Sequence, residues 1–373
     1  MFTTKALYHW NQAIATAFAP FSKPQARLLS LFSVGVALAR SCTLARVAES
    51  LWWASGKADS MERRLQRFLA NPQVDWQAGC QCLAHWVLGQ VLCRQGRVVL
   101  LVDETSLAHH FKVMAVSLAY RGRAIPLAWW CYPQDHYPMA QTKLIDTLLG
   151  WVAPALPPQW EVLVQADRGL SNSPTLLRQI QKRGWFFLVR VQRGLRLRGE
   201  ADAQSVGFGD RLTRPGQEWS GRVTVFPQAG GLRCRALAYW GKGHQAPWLL
   251  LTNYPPAQAP WYGWRMWEEL AFRDFKSTGW QWQKSRVWQP AHANRLWLVL
   301  ALAYAWMLSL GTQGACLKKV RPELSRGKSR RHSLFALGLR LFRRARELFD
   351  KIVRAFDFVF IYQEPGDEKT VVH

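Results

Sequence analysis

The chain has 373 residues, 49% of them apolar, which excludes a disordered protein and leaves room for one large core with an inserted or flanking domain. Lysine and arginine number 49 against 24 acids, a net charge of +25. That balance points to a polyanion, most simply nucleic acid, and the charge is spread along the chain rather than gathered on one basic amphipathic helix that would lie on a membrane.

Residues 1–96 read as helical, with Pro20 and Pro24 separating the first helix from the next. Leu28–Ala39 and Leu44–Trp53 carry apolar residues at helical spacing, and 54–60 is a turn in which Asp59 or Ser60 could cap the following helix. That helix, Met61–Ala70, is basic and amphipathic through Arg63, Arg64 and Arg67. Helix, short turn and basic helix suit a DNA reader, and an ordinary helical bundle is the alternative. Cys80-x-Cys82 with His85 lacks a second ligand pair for zinc. Seven scattered cysteines fit reduced thiols in a cytosolic protein, and the N-terminus lacks a signal pattern.

Residues 98–102, after Arg97, are five apolar residues in a row that close on Asp103, which suits a central strand covered on both faces. A carboxylate at the end of such a strand is costly to bury unpaired, so Asp103 is a candidate functional acid. Glu104 points the opposite way if the strand continues. Lys112–Tyr120 and Ala124–Trp130 form a hairpin, and Thr142–Gly150 is a helix. Trp160–Ala166 repeats the device, an apolar strand followed by Asp167 and a glycine turn. Pro174–Gly184 is a helix with Pro at its start and Gly at its end, and Trp185–Val191 is a strand.

Residues 192–258 are glycine-rich, with short strands at Arg222–Phe226, Leu232–Trp240 and Trp248–Thr252, and read as an all-β insertion. Residues 262–276 then predict a helix. At about 100° per residue, Tyr262, Arg265, Glu269 and Lys276 share a stripe about 60° wide. Trp264, Trp267, Leu270, Ala271, Phe272 and Phe275 cover the opposite side, and Glu268 falls on that packed side. The stripe sets a carboxylate among a phenol and two cations, groups suited to phosphate. The apolar run Leu296–Leu310 is short for a membrane span and reads as a core helix. Residues 318–346 contain 11 Lys/Arg and one Glu, and a C-terminal helix at about 333–356 has an apolar stripe, including Leu334, Leu337 and Leu341, able to dock on a partner.

The spacing Tyr262-x2-Arg265-x3-Glu269-x6-Lys276, with Asp103 and Asp167 upstream, resembles the Tyr-Arg-Glu-Lys signature of bacterial insertion-sequence DDE transposases. The resemblance implies an α/β fold: an RNase H-like mixed-sheet catalytic core at 97–191 and 259–310, with a β-strand insertion at 192–258. It also implies a helical N-terminal DNA-binding domain at 1–96 and a basic helical C-terminal region at 311–373. It implies catalysis and metal binding by Asp103, Asp167 and Glu269 with two Mg2+ (or Mn2+), and DNA-end contacts by Tyr262, Arg265 and Lys276. Double-stranded DNA, at transposon ends and target, is the implied partner, in a homodimeric paired-end complex in the bacterial cytoplasm, at the nucleoid. The strand beginning at Trp248 resembles the one in transposases that cut through a hairpin, where the Trp stacks on a flipped base. An RNase H-like structure-specific nuclease and a non-catalytic, transposase-derived DNA-binding protein are the alternatives.

Overall fold

The computed structural model describes residues 4–92, 96–107, 110–170, 173–200, 202–316, 332–348 and 360–362. Six helices open the chain: α1 (Thr4–Ala17), α2 (Lys23–Ala39), α3 (Leu44–Ser50), α4 (Trp52–Ser55), α5 (Ala58–Ala70) and α6 (Trp76–Gly89). Asp75 caps α6, its Oδ1 accepting from the backbone N–H groups of Gln77 and Ala78. In α5 the cap position falls on Lys57, which corrects the expectation for Asp59 and Ser60. Both lie inside the first turn, where the Asp59 charge complements the helix dipole. α5 buries Met61, Leu65, Phe68 and Leu69, so Arg63 and Arg67 are left exposed and Arg64 partly so.

The strands follow as β1 (Val91–Leu92), β2 (Arg97–Leu107), β3 (Phe111–Tyr120) and β4 (Arg123–Pro133). α7 (Gln141–Val152) leads to β5 (Glu161–Ala166), and α8 (Pro174–Lys182) to β6 (Phe186–Arg190). β2 pairs antiparallel with β3 and parallel with β5, and β5 pairs parallel with β6. The order β4-β3-β2-β5-β6, a three-stranded meander followed by two parallel strands reached through helices, is an RNase H-like sheet. Its central strands are apolar on both faces because helices cover both, as the uninterrupted burial of residues 98–102 shows.

The insertion contributes β7 (Arg196–Gly199), β8 (Val206–Gly207), β9 (Glu218–Val225), β10 (Leu232–Tyr239) and β11 (Trp248–Thr252). These strands do not build a sheet of their own. β11 pairs antiparallel with β6, and the order continues β11-β10-β9-β7-β8, giving one ten-stranded sheet. The edge of β6 is thereby closed by main-chain hydrogen bonds.

Residues 259–278 wind in three ways: a 3-10 turn (Ala259–Arg265), the α-helix α9 (Met266–Arg273) and a π-turn (Asp274–Thr278). This corrects the expectation of one regular α-helix over 262–276. α10 (Pro290–Cys316) is long and apolar enough to cross a membrane by length and composition, but it is buried inside this fold, between the N-terminal helices and β4. Trp306 of α10 stacks on Trp10 of α1 with ring centroids 4.4 Å apart. α11 (Leu334–Leu348) lies along α10, so close that a Cβ at Gly311 or Gly338 would fall onto the opposing backbone. Leu334, Leu337 and Leu341 are buried in this intramolecular packing, which corrects the reading of their stripe as a partner surface. The rest of the expected helix, beyond residue 348, and much of the basic block at 318–346 lie outside the described residues. A two-residue strand β12 (Phe360–Ile361) pairs parallel with β1.

Candidate active site

β2 runs four residues past Asp103, still paired with β3, whereas its ladder with β5 ends at Val102–Ala166. Asp103 therefore stands where the two parallel strands part, and Asp167 is the first residue beyond β5. The separation frees both carboxylates from the sheet at the same level. Period-two alternation puts Thr105 on the same face of β2 as Asp103, and Leu101 there too, with Ser117 opposite Leu101 on β3.

The winding segment that carries α9 crosses this face. Arg265 Nη1 lies 2.9 Å from Asp103 Oδ2, and its Nη2 bonds the Glu269 carboxylate one turn along. Tyr262, 3% exposed, donates its hydroxyl to Asp167 Oδ1 at 3.1 Å. Lys276 Nζ donates to Thr105 Oγ1 at 2.6 Å. Three residues of the predicted stripe thus meet a strand acid or the strand beside it, and the fourth, Glu269, is joined to them through Arg265. Glu269 keeps 43% of its side chain in solvent. Glu268 is fully buried, and its Oε1 accepts from Ser117 Oγ at 2.7 Å.

Electrostatics ties the acids together. Burial pushes the Asp103 carboxyl up to about 6. Arg265 and the N–H of Glu104, 2.9 Å from Oδ1, pull it down, and the charges of Glu269 and Asp167 add to the rise. Burial opposes the charge on Arg265, but Asp103 and the other carboxylates outweigh it and hold the guanidinium above its ordinary range. Burial lowers Lys276, and Asp103 offsets part of that. Burial, above all, raises the Glu268 carboxyl well above its ordinary value, and the hydrogen bond from Ser117 offsets part of that.

Glu104, on the other face of β2, meets Lys112 at 2.8 Å and accepts from the hydroxyls of Tyr132 and Tyr137. It is held away from the cluster, so the two adjacent acids are separated by the pleat. Below the cluster, Asp274 closes the π-turn: Arg123 reaches it at 2.6 Å, Tyr304 at 3.0 Å and Thr278 at 3.0 Å. Sequence reasoning missed Thr105, Ser117, Arg123 and Asp274. Thr105 was findable, two residues from Asp103 on a strand. The Arg123–Asp274 pair spans 151 residues and leaves no local signal.

Trp248 sits half-buried at the start of β11, edge-on to Tyr262 with ring centroids 5.5 Å apart. Arg63, Arg64 and Arg67 lie on α5 and make no contact with this cluster among the described contacts.

Among the described residues, no three His, Cys, Asp or Glu groups stand at distances that would hold one ion. The Arg265 guanidinium lies between Asp103 and Glu269 and supplies the positive charge there. The donor set nonetheless suits a hard divalent cation, because all three groups are carboxylates and hard cations take oxygen ligands.

An RNase H-like sheet with acids where its two central parallel strands part defines a nucleic-acid phosphoryl-transfer core. The chain matches the Transposase DDE domain family over residues 94–306, more than half its length, and belongs to that family. It is an insertion-sequence DDE transposase. A comparison with curated proteins found no match.

Proposed function

We propose that this transposase binds the ends of its own insertion sequence, cuts them to expose 3′-hydroxyls and joins those to target DNA. The observation that carries the reading is the gathering of Asp103, Asp167 and Glu269 around Arg265 and Tyr262. Asp103, Asp167 and Glu269 would hold the metals, for which two Mg2+ (or Mn2+) fit the oxygen donors. When bound, such ions polarise the phosphate and lower the pKa of the attacking water.

The chain's own residues do the positioning. Arg265 has a planar fork that now spans two carboxylates and can turn to a phosphate in the same bidentate way. Lys276 stands beside Asp103 on the same strand face, where a scissile phosphate would meet its ammonium. Tyr262 orients Asp167 and supports Trp248. Trp248, the only tryptophan of β11, offers an aromatic platform for a base flipped out during a hairpin step.

Residues 97–191 and 259–310 serve as the catalytic core, 192–258 as its β extension, 1–96 as the end-reading region through Arg63, Arg64 and Arg67, and 311–373 as a basic C-terminal region. A homodimer holding two ends is the working assembly, on the resemblance alone, since the apolar stripe of α11 is used within the chain.

The test is incubation of the full chain with duplexes carrying its own terminal repeats and Mg2+. Cut ends followed by joined products are expected. Cutting that never leads to joining would make it a structure-specific nuclease, and binding with no cutting a non-catalytic DNA-binding protein.

A further inference from the structure

One face of the β extension carries a grid of arginines. Arg222 of β9 lies directly opposite Arg235 of β10. Two residues along, Arg233 of β10 and Arg198 of β7 flank Thr224 of β9. Cross-strand partners and i, i+2 neighbours share a face, so all four project on one side. Arg198 and Arg233 stand about 10 Å apart across the sheet, and Arg233 and Arg235 about 7 Å apart along the strand. The opposite face takes the buried Leu197, Val223, Val225 and Leu232, which explains why the arginines face out.

Like charges directly opposite on a sheet destabilise it, and this grid is left nearly uncompensated. The side chains of Arg198, Arg222 and Arg233 are exposed and make no ion pair or hydrogen bond among the described residues. Arg235 is fixed by the carbonyls of Pro255 and Ala257 at 3.0 and 3.3 Å. Among the described residues that line the open groove of about 1210 Å3 bounded by the Asn253–Pro255 turn, Glu200 is the one acid. The same sheet face carries Thr252, Leu250 and Trp248 along β11, so the groove and the Trp248–Tyr262 contact lie on one side of the molecule.

We infer that Arg198, Arg222, Arg233 and Arg235 form a second DNA site, a track for the phosphate backbone of a duplex running beside the catalytic cluster. The inference rests on DNA as the substrate. Four cations spread over a groove this wide suit a polyanion rather than a single small anion. The track is assigned to the phosphate backbone because its cations are spread across three neighbouring strands, and the Asn253 amide, which could otherwise read a base edge, is committed to the backbone of Phe187 and Trp185.

The experiment measures affinity of the full chain against salt, for a duplex carrying the terminal repeats and for a random duplex of equal length. The proteins are wild type, the triple variant Arg198→Ala/Arg222→Ala/Arg233→Ala, the triple Arg→Lys variant at the same positions, and Asp103→Asn. Each phosphate contact contributes about 0.9 to the slope of log K on log salt, so the alanine triple should be shallower by up to about 2.7. Its loss of affinity should be equal on both duplexes, and the lysine triple should restore the slope. All three side chains are exposed, and an unchanged thermal unfolding curve confirms that the fold survives. A wild-type slope and affinity in the alanine triple overturns the track. If Asp103→Asn meanwhile binds but does not cut, the transposase reading stands without it. If wild type binds neither duplex, both fall.

Discussion

One guanidinium, that of Arg265, spans Asp103 on β2 and Glu269 on α9, at 2.9 Å from the former. The strand acid and the helix acid are thus coupled through a cation before any metal or DNA arrives. Replacing Arg265 with Ala removes the charge that holds Asp103 down, so its pKa should climb above the present value of about 6. The acid limb of the cleavage–pH profile should move to higher pH with it. Arg265→Lys should not restore the wild-type rate, because a point charge cannot serve two partners as a planar fork does. An unmoved acid limb in the alanine variant would show that Arg265 does not set the charge on Asp103.

The three carboxylates should matter for chemistry and little for binding. Asp103→Asn, Asp167→Asn and Glu269→Gln should each lower single-turnover cleavage about a thousandfold or more, the loss of several kcal/mol of transition-state stabilisation. Affinity for the same duplex should change only a few-fold. Retention of cutting by Glu269→Gln would move the third acid elsewhere.

Adjacent acids on β2 should titrate stability in opposite directions in chelator-treated protein. Asp103 has a raised folded pKa, so its contribution is full below about pH 4 and is lost as pH rises towards 6, by about 3 kcal/mol at most. Burial would also raise Glu104, but Lys112 and the hydroxyls of Tyr132 and Tyr137 outweigh it and lower the pKa. Its contribution is present above its unfolded value of about 4.3 and is lost as pH falls through the lower folded value. Urea midpoints against pH would separate the two. Asp103→Asn should flatten the decline between about pH 4 and 6, and Glu104→Gln the decline on the acid side.

Asp274→Ala should leave the half-buried Arg123 without its counter-ion and the π-turn without its tie to Tyr304. Loss of one partner of such a pair costs about 3 kcal/mol, readable as a lower urea midpoint at constant slope. Because Lys276 sits in that turn, cleavage should fall further than DNA affinity does. A variant as stable as wild type would show the pair to be immaterial.

Trp248→Ala should spare the first nick and depress hairpin formation, and an abasic site at the flipped position should partly restore it. Stacking of one base contributes about 1–3 kcal/mol, comparable to the few kcal/mol of flipping. Normal end processing by a folded Trp248→Ala protein would leave this residue a packing partner of Tyr262.

Local periodicity carried much of this. The apolar runs before Asp103 and Asp167 marked buried strands because burial on both faces leaves no room for alternation. The helical period aligned Tyr262, Arg265, Glu269 and Lys276, and sent Glu268 to the packed side, where it is fully buried against Ser117. Both periods are properties of the backbone and need no partner to be read.

Which group touches which was decided only in three dimensions. The stripe names Arg265 but not that its fork bridges two acids 162 residues and four residues away. A helical wheel assumes one winding, whereas Lys276 reaches Thr105 from a π-turn pinned by Asp274. An apolar stripe on α11 says that something covers it, and tertiary packing supplied α10. Short strands in 192–258 announce a sheet, but a strand edge carries the same N–H and C=O groups whatever its neighbour. That β11 extends the core through β6 was therefore settled by long-range pairing, which no local pattern encodes.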